Sequence, residues 1–205
     1  MPALFAPPVP GRAARAVAAP SPIRWTVDEF HDLFDDNRFE GRWVILIDGE
    51  IIEMPKPKPP HDTGITLTDY LLKGLFQGGH YVRCQCGLPL GLDTDPIPDV
   101  AVVIGAPRDH ARRHPATAVL VVEVSDTTRA FDRGTKAHLY AAAGIPEYWV
   151  LDVTGGELIV FRDPRPDAAA PRGFEYGTVR TLTAADTVTP LAASSAAIRV
   201  ADLLL

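Results

Sequence analysis

The chain is short of cysteine, of positive charge and of long apolar runs, and each shortage closes off a class of protein. Only two of its 205 residues are cysteines, Cys84 and Cys86, too few for a disulfide framework. Their spacing within a predicted strand puts both thiols on one face, where an i, i+2 pair rarely closes a disulfide. Two such ligands alone do not make a zinc site. They read as small buried residues in a reducing compartment, so a cytoplasmic protein is expected. No apolar stretch approaches the roughly 20 residues that span a bilayer, and no membrane partner is expected. The first 22 residues are rich in Ala, Pro and Arg and have no continuous apolar segment. They do not read as a secretory signal, and a disordered extension is the expectation. A formal net charge of −6 argues mildly against a nucleic-acid partner. No internal repeat, zinc finger or helix-turn-helix is apparent.

What is present is a core. An apolar fraction of 46% is ample for one sizeable domain, expected over residues 23–205. Charge is unevenly spread. Residues 25–54 hold nine acids against Arg38 and Arg42, whereas residues 95–136 hold six acids and six bases. The second region is locally balanced, and its arginines can face phosphates or simply water.

Local signals give an order of elements. Thr26-Val27-Asp28-Glu29 is a capping box, predicting a short helix to about Asp35. Residues 42–47 and 50–54 read as strands around an Asp48-Gly49 hairpin turn. Pro55-Lys56-Pro57-Lys58-Pro59-Pro60 reads as a stiff, extended linker with no helix in it. His61-Asp62 then precedes a helix ended by Gly78-Gly79. Residues 80–92 predict one or two strands broken near Gly87, and two apolar strands follow, separated by a polar loop over 105–116. Asp132 is expected to cap a helix that Gly144 stops. A hairpin around Gly155-Gly156, a loop over 163–173 and short strands near 175–181 and 197–200 complete the chain. The fold class is α/β (α+β), a central mixed sheet flanked by helices.

Two carboxylates interrupt the apolar strands. Asp99 lies in Ile97-Pro98-Asp99-Val100-Ala101-Val102-Val103, and Glu123 in Val119-Leu120-Val121-Val122-Glu123-Val124. A carboxylate among Val and Leu is costly unless something binds it. If the strands are neighbours, alternation lets both side chains share a face. Two carboxylates, a main-chain carbonyl such as that of Val124, and waters suit Mg²⁺ or Mn²⁺. Lys136, on the next helix, can orient a water or neutralise charge on a phosphate. Such a set can hydrolyse a phosphodiester. The alternative is structural, with Pro98-Asp99 opening a strand and Glu123 ending one in water.

The runs around Asp99 and Glu123 are followed by Asp132-Arg133-Gly134-Thr135-Lys136-Ala137-His138-Leu139-Tyr140-Ala141 and Ala143-Gly144-Ile145-Pro146-Glu147-Tyr148-Trp149. Together they closely resemble the Uma2 family of restriction-type endonucleases, within the PD-(D/E)xK nuclease superfamily. The resemblance implies a restriction-endonuclease-like core, a divalent-metal-dependent endonuclease and a DNA substrate. It also implies a homodimer, with Trp149 as a candidate interface aromatic. Asp99 and Glu123 match the metal-binding carboxylates. Ser125 stands where the superfamily motif has lysine, and Lys136 matches the family's lysine on the following helix. His61, Gln85 and Tyr140 match recurrent supporting positions, with packing the favoured role for Tyr140. Ile45 stands where the family often has a glutamate, which leaves three readings: the glutamate is dispensable, Glu40 or Glu53 substitutes for it, or activity is reduced. A non-catalytic module that binds nucleic acid or a protein is the alternative function.

Overall fold

The Val- and Leu-rich runs pair into one six-stranded sheet. The structure is a computed structural model and describes residues 21–205. The expectation of a disordered extension over residues 1–22 therefore lies almost wholly outside the described residues. The elements are α1 (Val27–Asp35), β1 (Val44–Ile47), β2 (Glu50–Glu53), α2 (Pro59–Leu75), β3 (His80–Cys84), β4 (Val100–Ile104) and β5 (Leu120–Ser125). Then come α3 (Arg129–Phe131), a π-helical turn (Asp132–Lys136), α4 (Ala137–Ala142), β6 (Glu147–Asp152), β7 (Glu157–Pro166), β8 (Phe174–Thr183), β9 (Thr187–Val188) and β10 (Ile198–Arg199).

The main sheet has the order β3-β4-β5-β6-β7-β8. Only β5 and β6 run parallel; the other pairs are antiparallel. A parallel pair needs a long crossover, and the helix from Arg129 to Ala142 supplies it. The period of two sorts the side chains. Val100, Val102, Leu120, Val122, Val124, Trp149 and Leu151 share one cluster with Ile65, Leu72 and Phe76 of the α2 region. Ala101, Val103, Val121, Tyr148, Val150 and Ile159 share another with Ala137, Tyr140 and Ala141 of α4. Helices therefore cover both faces, as the mixed-sheet expectation required. Among the described residues, no helix is long and apolar enough to cross a membrane.

Strand β1 of the β1–β2 hairpin is buried on both faces. Val44 and Leu46 pack on Val27 and Phe30 of α1, while Ile45 and Ile47 pack toward Leu139 of α4. Asp48 and Gly49 both take positive φ, as a two-residue hairpin turn of the primed type requires. Thr26 caps α1 in the expected box with Glu29.

Three expectations are corrected. The proline run is only partly a linker, because α2 starts at Pro59, with proline in its first turn. There a missing N–H costs no helical hydrogen bond. His61 and Asp62 thus lie inside the helix. Residues 80–92, read as one or two strands, hold one, which ends at Cys84 where the backbone turns to positive φ at Gln85. The loop expected at 163–173 is shorter, because β7 continues to Pro166, paired with Phe174. Trp149 is no interface aromatic. It is fully buried on β6, its indole N–H donating to Glu147 at 2.9 Å.

Gly64 sets how closely α2 approaches the sheet. A Cβ there would lie 2.8 Å from Val124 Cγ1 and 3.1 Å from Val153 Cγ1. In an open helix, Gly→Ala stabilises by about 1 kcal/mol. Here the overpacking dominates, and Gly64→Ala is expected to destabilise by about 1–3 kcal/mol. A lowered urea midpoint at unchanged m-value checks this, and a raised midpoint contradicts it.

Candidate active site

Asp99 stands one residue before β4, and Glu123 lies within β5. The register pairs Val100 with Val122. One further step sets Asp99 opposite Glu123, and directly opposed residues of an antiparallel pair share a face. Both are buried, at 7% and 2% exposure. Asp99 Oδ2 accepts the Val124 N–H at 2.8 Å and lies 3.3 Å from His61 Nε2, in the first turn of α2. In such a ladder a residue's N–H and carbonyl face the same neighbour, so the Val124 carbonyl is turned toward the Asp99 side. Gln85 donates its N–H to the Asp99 carbonyl at 3.1 Å, and its left-handed backbone turns the chain away from β3 beside the site.

The crossover helix brings the rest. Lys136 Nζ lies 2.8 Å from Glu123 Oε2 and 3.1 Å from Asp132 Oδ1. The Tyr140 hydroxyl donates to Glu123 Oε1 at 2.7 Å. Tyr140 is packed in the core, as expected, and its hydroxyl also holds the acid in place. Asp132 does not cap the helix, which begins three residues earlier at Arg129. Its Oδ2 accepts from Ser125 Oγ at 3.0 Å and Thr128 Oγ1 at 2.6 Å, and its carbonyl accepts from the Tyr148 hydroxyl at 2.9 Å. Asp132 and Lys136, four apart, bound the π-helical turn. Wide turns of this kind recur at functional sites. The i, i+4 spacing was the sequence signal for Asp132, masked by the ordinary preference of Asp for a helix start.

Two carboxylates therefore contact one ammonium, and Asp99 lies close enough to act on its charge. Burial pushes Glu123 up to about 8; Lys136 opposes this, while Asp99 and Asp132 reinforce it. For Lys136, burial favours the neutral amine, but Glu123, Asp132 and Asp99 outweigh it and hold the amine above its ordinary value, firmly charged. Burial, joined by Glu123, raises the Tyr140 phenol well above its usual range, so it donates rather than ionises. Burial lowers His61, but hydrogen bonding and charge attraction from Asp99 and Asp62 together outweigh it, leaving the imidazole above its ordinary value.

All of these groups except Tyr140 line one cavity of about 50 Å³, room for a few waters. Its wall also holds Trp43, Ile45, Lys56, Lys58 and the loop Asp126-Thr127-Thr128, of which the sequence reading singled out only Ile45. Ile45 is 2% exposed. Neither Glu40 nor Glu53 reaches the cavity: Glu40 is exposed, and Glu53 turns outward to bond Arg42 at 2.6 Å. Among the described residues, no three His, Cys, Asp or Glu side chains form a ready-made metal cage. Mg²⁺ asks for less, since one or two carboxylates with waters hold it. The excess of carboxylate over ammonium, in hard oxygen donors, fits such an ion.

The Uma2 family model, described as "Putative restriction endonuclease", matches residues 27–200. Among solved structures, the crystal structure of "a putative nuclease belonging to DUF820" from Anabaena variabilis ATCC 29413 has the same fold. Its TM-score is 0.65 at 18% identity, covering 89% of this chain and 97% of that one. No curated protein matches this chain.

The raised Glu123 carboxyl carries a stability consequence. An acid with a raised folded-state pKa costs stability as pH climbs from its ordinary value of 4.5 toward about 8. Glu123→Gln removes that buried charge. The melting temperature of this variant, taken relative to the parent's, is expected to be higher at pH 8 than at about pH 5. A difference that stays the same at both pH values would place this carboxyl near its ordinary range.

Proposed function

The chain belongs to the Uma2 family, and from that premise we propose that it is a divalent-metal-dependent endonuclease hydrolysing DNA phosphodiester bonds. The observation that carries this reading is convergence. Asp99, Glu123 and Lys136 come from a strand entrance, a strand interior and a helix, and they meet in one cavity. A Mg²⁺ or Mn²⁺ ion, when bound, supplies Lewis acidity toward the phosphoryl oxygen and lowers the pKa of water.

The chain's own residues do the rest. Asp99, Glu123 and the Val124 carbonyl would hold the ion. Lys136 orients the attacking water and offsets charge that develops on the phosphate. Asp132, anchored by Ser125 and Thr128, positions Lys136. Tyr140 fixes the Glu123 carboxylate, and His61 does the same for Asp99. Gln85, exposed at the cavity, faces arriving substrate. Homodimerisation belongs to this reading on family resemblance alone, since Trp149 is buried.

Ile45 favours a second reading. An apolar side chain lines the wall where the resemblance sets a glutamate, and neither Glu40 nor Glu53 replaces it. A nuclease-fold module that binds DNA without cutting it would show Mn²⁺ binding but no cleavage.

Asp99→Ala and Glu123→Ala are each expected to abolish Mn²⁺-dependent cleavage of plasmid DNA while circular dichroism keeps the native signature. Unchanged cleavage in both would rule out the assignment. Lys136→Ala is expected to lower kcat by about 10²–10³, with Mn²⁺ affinity by titration calorimetry changing far less. A loss of Mn²⁺ affinity matching the loss of rate would instead make Lys136 part of the metal scaffold.

A further inference from the structure

Away from the acids, the cavity wall changes character. Trp43 and Ile45 are two apart on the chain entering β1, so they share a face, and both line the cavity. Trp43 is held in the hairpin ladder, its carbonyl accepting the Met54 N–H at 2.7 Å, and its side chain is half-buried. The strap Pro55-Lys56-Pro57-Lys58 contributes all four residues to the same cavity. Its prolines hold the backbone extended until α2 opens. Two residues of extended chain advance roughly 7 Å, near the step between neighbouring phosphates of an extended strand. Both lysines are exposed. Lys58 lies a loose 3.8 Å from Asp126 and is 63% exposed, so a phosphate can take it over.

The same wall limits what can enter. Asp99 and Glu123 are 7% and 2% exposed, and a scissile phosphate must come within reach of both. Duplex DNA carries its phosphates on a stiff rod, and duplex binders spread roughly 6–10 phosphate contacts over a basic surface. Here the net charge is −6, and the cavity's lysines are Lys56, Lys58 and Lys136. Lys136 is committed to Glu123 and Asp132. An aromatic face beside a short cationic track is instead the equipment of single-strand binding.

We infer that Trp43, Lys56 and Lys58 form a clamp for single-stranded DNA, seating a base on the indole and two backbone phosphates on the ammoniums. The clamp feeds the acids in preference to a duplex, and in this it rests on the nuclease reading of the site.

The test uses the full chain and a labelled oligonucleotide about 12 nucleotides long, single-stranded or as a blunt duplex, in metal-free buffer so that cleavage does not compete. Fluorescence anisotropy is expected to show the single strand bound at least about tenfold tighter. Trp43→Leu is expected to weaken single-strand binding about tenfold. The double variant Lys56→Ala/Lys58→Ala is expected to reduce the slope of log K against log salt by about 1.4. Melting temperatures should be unchanged in both variants. Duplex binding as tight as single-strand binding, or unchanged affinity and slope in both variants, overturns the clamp.

Parallel digestion with Mn²⁺ separates the two readings. Equal hydrolysis of duplex and single strand overturns the strand preference and leaves the nuclease reading standing. Tight, Trp43-dependent single-strand binding with no hydrolysis of either substrate upholds the clamp and overturns the nuclease reading.

Discussion

The Lys136 ammonium held between Glu123 and Asp132 is the interaction on which this molecule's site depends. Three ions removed from water cost several kcal/mol each before they attract one another. Only close geometry with every partner supplied offsets that cost. The chain supplies it from three directions: Tyr140 donates to Glu123, Ser125 and Thr128 donate to Asp132, and the Phe131 ring lies 5.8 Å from the ammonium. Burial first, and then the nearby Asp99 and Asp132, hold the Glu123 carboxyl above its ordinary value.

The fold around this interaction is arranged to keep it buried and fixed. β4 and β5 bring Asp99 and Glu123 level, and the β5–β6 crossover returns its helix across the same face. α2, drawn in by Gly64, sets His61 against Asp99 from the other side. The β1–β2 hairpin closes the remaining flank with apolar side chains, because Ile45 and Ile47 face Leu139 rather than water. The cavity is therefore polar at its base and apolar along the hairpin wall.

Much of this was legible in the chain. The capping box at Thr26, the hairpin turn at Asp48-Gly49 and the Val-rich strands each rest on local chemistry, and each formed as read. Asp99 and Glu123 stood out because a carboxylate within a valine run has few inexpensive explanations. The errors share a cause. Asp132 and the prolines before His61 were judged by local preference, and tertiary contacts outvoted it. Asp132 had hydroxyl partners on β5 and in the following loop, and α2 accepted proline in its first turn. Trp149 was read as an interface aromatic, whereas the Glu147 carboxylate gives its N–H a buried partner.

The sequence by itself determined which residues carry charge into the core, the period that sorts them onto faces, and the family resemblance that names Asp99, Glu123 and Lys136. These follow from short-range covalent geometry and from side-chain chemistry, which one dimension already contains. Only the tertiary structure decided that Asp132 joins the ammonium, that Ile45 lines the cavity, and that Trp43, Lys56 and Lys58 share its wall. Those pairings depend on strand register and on how helices approach a sheet, and such distances are set by close packing among residues far apart along the chain.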